Sequence, residues 1–356
     1  MSKSRSWITP LKQLSRRGRA ASEHLTALQA WQLKHLARNT GVTPGAKKSS
    51  TAHDILSCLD ATDSQGTYKS VDMGVKNLAV CVVQPSLLNR SKTTSAYFQL
   101  LHWERSDILT GSTTTAEPDD SLDLAEEQPE HIPNAYSPSN LAPHAARMAY
   151  RLATSHDPSH ILIERQRFRS MGGAAVQEWT LRVNSLEAML YASLETMKQD
   201  RDRSDIRIDQ GSSTCPEVVE MSPARIAAFW NGRGNNWNLD EEGIEILIPD
   251  KSLNPAKQAT QPEEAFKRGM EKSEKISLVR NWLRTGALDV QHSLQPLATA
   301  FMQTGRAKKS DGDLIISKKD DLADCVVQGI TYALWQRNRR TLHDYLTGLP
   351  AVQKVA

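Results

Sequence analysis

Three groups of carboxylates occupy places where a packed protein normally avoids charge. Asp72 follows the apolar end of a predicted strand, and Glu164 ends the apolar run 161–163. The third group opens the last long predicted helix and comprises Asp320, Asp321 and Asp324. Hard divalent cations such as Mg²⁺ prefer oxygen ligands. Two such ions, held ~4 Å apart, stabilise the attacking and leaving oxygens of phosphodiester hydrolysis. The residue types therefore predict metal-dependent chemistry on phosphodiesters.

The spacing within the third group adds to this prediction. Asp321 and Asp324 are three residues apart, Asp320 and Asp324 are four apart, and either spacing places a pair on one helix face. Like charges so placed repel each other unless a cation lies between them. Acidic residues at a helix N-terminus also interact favourably with the helix dipole, which would explain the group without any metal. The prediction therefore depends on all three groups together.

Basic residues accompany the carboxylates along the chain. Phosphate binding uses such charges and releases counterions from nucleic acid. Each residue alone would equally suit a solvated surface, but as a set we expect them to contact DNA: Arg165, Arg167, Arg169, Lys308, Lys309, Lys318 and Lys319. No phosphate-binding loop or dinucleotide motif is found in the sequence, so no nucleotide cofactor is predicted.

Charge is distributed unevenly along the 356 residues, which carry a net charge of +3. Residues 1–22 hold six basic residues and no acid, whereas residues 104–130 hold nine acids and one arginine. The remainder is modestly basic, which is compatible with a nucleic-acid partner. No apolar run reaches the roughly 18 residues that a membrane helix needs, so no membrane span is predicted.

Three regions are predicted from composition and periodicity. Residues 1–23 resemble a mitochondrial presequence, or else form a basic arm that touches DNA. Residues 24–62 read as helix, basic loop and helix, with Lys47 and Lys48 in the loop. This order resembles the SAP DNA-binding motif, and the alternative is a plain helical hairpin that packs on the main domain. The main domain is predicted at 67–345, with an acidic surface insertion at 104–138.

The main domain alternates predicted strands and helices. Two strands joined by a glycine-containing turn cover 68–85, and a third covers 97–103. A helix then precedes the strand that ends at Glu164. Further elements are a long helix, a strand and two more helices, at about 175–198, 216–222, 274–284 and 320–340 respectively.

Four sequence blocks carry a family resemblance. The blocks are SVDMGVKNLAVCVV, ILIERQRFRS, RVNSLEAMLYASL and KKDDLADCVVQGITYAL, at 70–83, 161–170, 182–194 and 318–334. In this order they resemble the fungal mitochondrial Holliday junction resolvases, which are similar to the bacterial resolvase nuclease and share the ribonuclease H fold. The resemblance implies an α/β fold: a five-stranded mixed sheet, with its first strands antiparallel, flanked by helices and preceded by the SAP-like unit.

The resemblance also implies a site, a substrate and a location. Asp72, Glu164 and Asp324 match the family's metal ligands, for two Mg²⁺ or Mn²⁺ ions per active site. The fourth ligand is either Asp320 or Asp321, and Asp320 is slightly preferred because the fungal proteins use a four-residue spacing. The expected activity is paired cleavage of four-way DNA junctions by a twofold homodimer in the mitochondrial matrix.

Two other functions stay open at this point. One is an RNA–DNA hybrid nuclease on the same fold, which differs in substrate preference. The other is a non-enzymatic protein that binds or tethers mitochondrial DNA through the SAP-like unit. The intact acids argue against the second, because a scaffold without chemistry does not need them. The sequence does not predict a preferred cleavage sequence, the bound junction conformation or the role of the insertion.

Overall fold

A computed structural model of the protein describes most of the chain. The described residues are 20–59, 65–86, 96–110, 135–166, 178–203, 215–233, 238–239, 243–250, 269–303, 316 and 318–348. Among them, no helix combines the length and the apolar character needed to cross a lipid bilayer.

Helices and strands alternate along the described chain after a short helical stretch at 20–27. The strands are β1 Tyr68–Asp72, β2 Leu78–Pro85, β3 Phe98–Ser106, β4 His160–Glu164, β5 Glu217–Met221 and β6 Leu288–Val290. The helices are α1 Ala30–Asn39, α2 Lys48–Ser57, α3 Pro138–Thr154, α4 Glu178–Arg203, α5 Pro223–Asn231, α6 Ile244–Leu247, α7 Lys272–Thr285, α8 Gln295–Met302 and α9 Lys319–Gly348. A 3₁₀ turn, His292–Leu294, precedes α8.

The strands form one mixed sheet with the order β5-β4-β1-β2-β3-β6. Strand β2 pairs antiparallel with both β1 and β3, in agreement with the antiparallel first strands that were predicted. In contrast, β4 pairs in parallel with both β1 and β5, and β6 pairs in parallel with β3. The α/β ribonuclease H-like fold class is confirmed.

The register between β1 and β4 determines where two predicted carboxylates lie. Tyr68 is opposite His160 and Val71 is opposite Ile163. Each strand then ends on the next residue, which is Asp72 in β1 and Glu164 in β4. Because the strands are parallel, both carboxylates emerge at the same edge of the sheet.

Side-chain alternation along the strands separates two faces of the sheet. On one face, apolar residues of β1, β2 and β4 pack against α3 and α4; this core includes Val71, Val80, Ile161, Ile163, Met148, Leu152, Leu186 and Leu190. The alternate positions of β1 and β4 face the first turns of α9. Burial of one face of each strand therefore directs Asp72 and Glu164 towards α9.

The first part of α9 lies close against the sheet. The side-chain amide of Gln328 donates hydrogen bonds to Ser70 Oγ at 2.9 Å and to the carbonyl oxygens of Val71 and Leu162, both at 3.2 Å. A Cβ atom at Gly329 would lie 3.0 Å from Val83 Cγ2. The glycine therefore allows the close approach, and Gln328 fixes the rotation of the helix about its axis.

Several predicted boundaries need correction. The sheet has six strands rather than five, because Leu288–Val290 adds to its β3 edge. The acidic insertion does not begin at 104, since β3 continues to Ser106, and it does not include 138, where α3 begins. Residues 111–134 of the insertion lie outside the described residues, as do residues 1–19 of the segment 1–23 that is predicted to be a presequence or a basic arm.

The chain divides into two compact units. The sheet unit comprises 65–223 and 270–330, and the terminal unit comprises 1–64, 224–269 and 331–356. In the terminal unit, α1, α2 and the end of α9 share a core that includes Leu33, Leu36, Ile55, Leu342 and Leu346. The segment predicted to be SAP-like, 24–62, is therefore grouped with later parts of the chain, and its DNA-binding role stays a prediction.

Replacing Gly329 with Val should destabilise the sheet unit. The added side chain meets Val83 and Ser70 at or below van der Waals distance, so the helix has to move outwards. Overpacking of this kind costs about 1–3 kcal/mol, which urea unfolding measures. Gly348→Val is the matched control, because nothing lies within 4 Å of its Cβ position. Equal stability of the two variants would contradict the close packing of α9 on the sheet.

Candidate metal-binding active site

Three of the predicted carboxylates converge at the edge of the sheet where β1 and β4 end. Asp72, Glu164 and Asp324 each offer an oxygen, and these oxygens lie within 4.8 Å of one another. The first two come from neighbouring parallel strands, and the third comes from the second turn of α9. The sequence placed the three residues correctly on these elements.

The rotation of α9 distinguishes the two candidates for a fourth carboxylate. At 3.6 residues per turn, Asp321 lies about 20° around the helix from Gln328, whereas Asp320 lies about 80° away. Gln328 points at the sheet. Asp321 therefore lies on the sheet-facing side of α9, whereas Asp320 lies on the flank of the helix. In agreement, Asp321 is among the charges that raise the pKa of Asp72, and Asp320 is hydrogen-bonded by Lys272 instead.

Burial and mutual repulsion dominate the electrostatics of the cluster. The pKa of Asp72 is raised well above its ordinary value by burial and then by the charges of Glu164, Asp324 and Asp321. Burial also raises the pKa of Asp324 and of Asp321. Such a group of carboxylates disfavours its own ionisation, and a bound cation would reverse this effect.

Two lysines of α7 face the aspartates of α9. Lys275 Nζ donates a hydrogen bond to Asp324 Oδ2 at 2.7 Å, and Lys272 Nζ pairs with Asp320 Oδ2. For Asp320, burial alone would raise the pKa, but the hydrogen bond and charge of Lys272 outweigh it and lower the pKa. Lys275 opposes the rise of the Asp72 and Asp324 pKa values without abolishing it.

The oxygens that remain suit a divalent cation. Asp324 Oδ1 and Asp321 Oδ2 are buried and have no hydrogen-bond partner among the described residues. Buried carboxylate oxygens without partners are costly, and they are ligands that Mg²⁺ and Mn²⁺ accept. The donor set and its net negative charge therefore fit a divalent metal centre.

One of the predicted basic residues, Lys318, lies near the cluster. Lys318 and Arg105 both lower the pKa of Asp321, although burial and Asp320 raise it more. In the amide orientation that satisfies both groups, Asn77 accepts a 2.9 Å hydrogen bond from Lys318 Nζ. Arg165 follows Glu164 directly, but its guanidinium pairs with Glu220 at 3.1 Å.

Lys319 does not face the site, contrary to the sequence-based expectation. Its ammonium group donates to the carbonyl oxygens of Ala300 and Gln303, both at 2.8 Å, and thereby caps the end of α8. Lys47 and Lys48 are exposed at the start of α2, in the terminal unit. Arg167, Arg169, Lys308 and Lys309 lie outside the described residues.

Lys272, Lys275, Asn77 and Arg105 were not singled out from the sequence. One signal was available: two lysines one turn apart open α7, where the helix dipole favours acids rather than bases. Lysines at that position indicate an anionic partner elsewhere in the fold. The sequence alone does not identify which anion that is.

The fold is that of a ribonuclease H-like protein, and the carboxylate cluster is a candidate metal-binding site at one edge of its sheet. Residues 69–342 match the family described as mitochondrial resolvase Ydc2 / RNA splicing MRS1. The chain belongs to this family, which confirms the resemblance seen in the four sequence blocks.

Two relatives are similar over much of the chain. The mitochondrial cruciform cutting endonuclease 1 of Schizosaccharomyces pombe is 26% identical over 198 residues, which are 56% of this chain. The alignment spans 65% of that relative, which is just under two thirds of its length. The crystal structure of the yeast mitochondrial Holliday junction resolvase Ydc2 matches with a TM-score of 0.54 and 19% identity, covering 88% of this chain and 96% of that one.

Replacing Asp72 with Asn should stabilise the metal-free protein at alkaline pH. The folded-state pKa of Asp72 is raised, so its ionisation penalty is absent below the unfolded-state pKa and grows as pH rises through the folded-state value. Thermal unfolding in EDTA measures the gain, at about 2–4 °C per kcal/mol for a chain of this size. A gain that is as large at pH 4 as at pH 8 would contradict repulsion as its cause.

Proposed function

We propose that this protein is an endonuclease that resolves four-way DNA junctions by metal-dependent phosphodiester hydrolysis. The observation that carries the proposal is the convergence of Asp72, Glu164 and Asp324 at one edge of the sheet. Family membership and the names of the two relatives support the junction as substrate. Each of these residues comes from a different element, so the convergence is a property of the fold rather than of local sequence.

Asp72, Glu164, Asp324 and Asp321 would hold the metal, with two Mg²⁺ or Mn²⁺ ions in the full site. When bound, the ions supply charge stabilisation for the attacking and leaving oxygens. The strands hold two of the carboxylates rigidly, and α9 holds the other two at an angle set by Gln328. The ligands are thereby positioned before the substrate arrives, which is what such chemistry requires.

DNA binding would depend mainly on phosphate contacts, which orient a protein without reading sequence. Lys318 lies beside the carboxylates, where it would hold the DNA backbone at the site. The four arms of a junction are related by approximate twofold symmetry. A twofold homodimer would therefore bring one active site to each of two strands, which accounts for paired cleavage.

The family description also includes an RNA-splicing protein, and the sequence left a non-enzymatic DNA-tethering role open. Neither role needs a cluster of mutually repelling carboxylates. Keeping such a cluster raises the free energy of the folded, metal-free protein, so a role that uses metal accounts for it better. An RNA–DNA hybrid nuclease would keep the same cluster, and a comparison of hybrid duplex with four-way junction as substrates distinguishes the two activities.

The mitochondrial location is supported by the names of the family and of both relatives. The basic segment at 1–23 would serve as the presequence. The SAP-like segment at 24–62 would add DNA affinity through Lys47 and Lys48, which are exposed next to the N-terminus of α2. Exposed backbone N–H groups at a helix N-terminus favour phosphate, so this placement suits the role.

Asp72→Asn, Glu164→Gln and Asp324→Asn should each abolish junction cleavage while leaving junction binding intact. The carboxylates hold the metal, whereas basic residues provide most of the affinity. We expect at least a thousandfold lower cleavage rate, or about 4 kcal/mol, with labelled junction and Mg²⁺. Binding is measured in parallel in Ca²⁺ or EDTA. Near-normal cleavage by the Asp72 variant would refute the proposal.

Asp321→Asn should impair cleavage more than Asp320→Asn. The preference inferred from family spacing was for Asp320, but in this structure Asp321 faces Asp72 and Asp320 pairs with Lys272. The two variants are matched neighbours with the same change of charge. Single-turnover cleavage across a Mg²⁺ titration separates them, and greater loss in the Asp320 variant would contradict the assignment of Asp321 as the fourth ligand.

A further inference from the structure

The two oxygens of Asp324 have different surroundings. Oδ2 accepts a 2.7 Å hydrogen bond from Lys275 Nζ, whereas Oδ1 is buried without a partner among the described residues. An aspartate has two oxygens on a freely rotating group, so anchoring one of them fixes the direction of the other. Because Lys275 holds Oδ2, Oδ1 is the oxygen of Asp324 that has no protein partner among the described residues, and Asp324 is a member of the cluster with Asp72 and Glu164.

The Lys275–Asp324 ion pair is more buried than a typical surface ion pair. The side chains of Lys275 and Asp324 are 21% and 20% exposed, so water screens the pair only partly. Lys275 lies near the start of α7, where the helix dipole disfavours a cation. The ion pair with Asp324 offsets this unfavourable interaction between Lys275 and the helix dipole.

We propose that Lys275 is the positioning residue that orients Asp324 for metal binding and thereby sets the metal affinity of the site. The inference rests on the proposed metal-dependent function and deepens it. Lys275 does not itself bind the cation. Outer-shell partners of this kind fix the orientation of a ligand, and their loss typically costs about tenfold to hundredfold in metal affinity.

Electrostatic repulsion alone would have the opposite effect on metal affinity. A lysine near the cluster repels a divalent cation, so its removal would raise metal affinity if repulsion were the larger effect. The geometry of the contact favours orientation. Lys275 is bound to Oδ2, and the buried Oδ1 has no hydrogen-bond partner among the described residues, so the lysine occupies one oxygen and leaves the other for a cation.

The neighbouring pair provides a matched control. Lys272 and Asp320 join the same two helices one turn away, but the Lys272 side chain is 79% exposed and Asp320 turns away from Asp72. Removing Lys272 deletes the same charge from the same helix without releasing an oxygen of the cluster. Orientation and general electrostatics therefore make different predictions for the two lysines.

The test is Mn²⁺ binding to the full-length protein without DNA, measured by isothermal titration calorimetry. Lys275→Met should weaken Mn²⁺ binding by about tenfold to hundredfold, and Lys272→Met should change it by less than about threefold. Lys275→Arg should recover most of the affinity, because a guanidinium keeps a charged hydrogen bond to Oδ2. Circular dichroism and urea unfolding verify that each variant is folded. A fold defect alone would not be rescued selectively by arginine.

Unchanged or tighter Mn²⁺ binding by folded Lys275→Met would overturn the inference. An equal loss in the Lys272 variant would also overturn it, since the effect would then be one of general charge. Asp72→Asn separates this failure from failure of the proposed function. If Asp72→Asn abolishes Mn²⁺ binding while Lys275→Met does not weaken it, only the role of Lys275 is wrong. If neither variant alters Mn²⁺ binding, the metal site itself is wrong.

Discussion

The parallel pairing of β1 with β4 is the constraint on which the rest of the site depends. It places Asp72 and Glu164 side by side at one edge of the sheet and points both at α9. Two neighbouring carboxylates repel each other, and backbone hydrogen bonds and a buried apolar face are needed to keep them there. The sheet core beneath α3 and α4 provides that stabilisation, because slipping the register by one residue would turn Val71 and Ile163 out of this core and towards α9.

The helix that completes the site is positioned by uncharged contacts. Gln328 binds Ser70 and two strand carbonyls, and Gly329 leaves room for the side chain of Val83. These contacts lie one turn beyond Asp324, so they determine which of the preceding acids face the strands. Asp324 and Asp321 are selected by the rotation of α9 rather than by their own interactions. The mutually repelling aspartates of α9 are thus held in place by Gln328 and Gly329, which carry no charge.

The family resemblance implied the fold, and local patterns singled out most of the residues of the candidate site. Asp72 and Glu164 each follow an apolar strand, and that pattern survives in any register. The choice between Asp320 and Asp321 could not be predicted, since it depends on the rotation of α9 set by Gln328 and Gly329. Strand β6 was missed because three residues give no periodicity. Lys319 was assigned to DNA because a capping lysine and a phosphate-binding lysine look alike in sequence.

Lys275 alone does not neutralise the negative charge of the carboxylate cluster. Asp72, Glu164 and Asp324 bring three carboxylates together, the charge of Asp321 also acts on Asp72, and Lys275 contacts Asp324 directly. The remaining negative charge leaves the pKa of Asp72 raised, with burial the largest cause and the neighbouring carboxylates next. A second lysine in the cluster would remove that excess and stabilise the fold, but it would also occupy the oxygens that the proposed metal needs. The partial compensation seen here orients one ligand and leaves the others to the cation, so the instability of the metal-free site and its affinity for metal have the same origin.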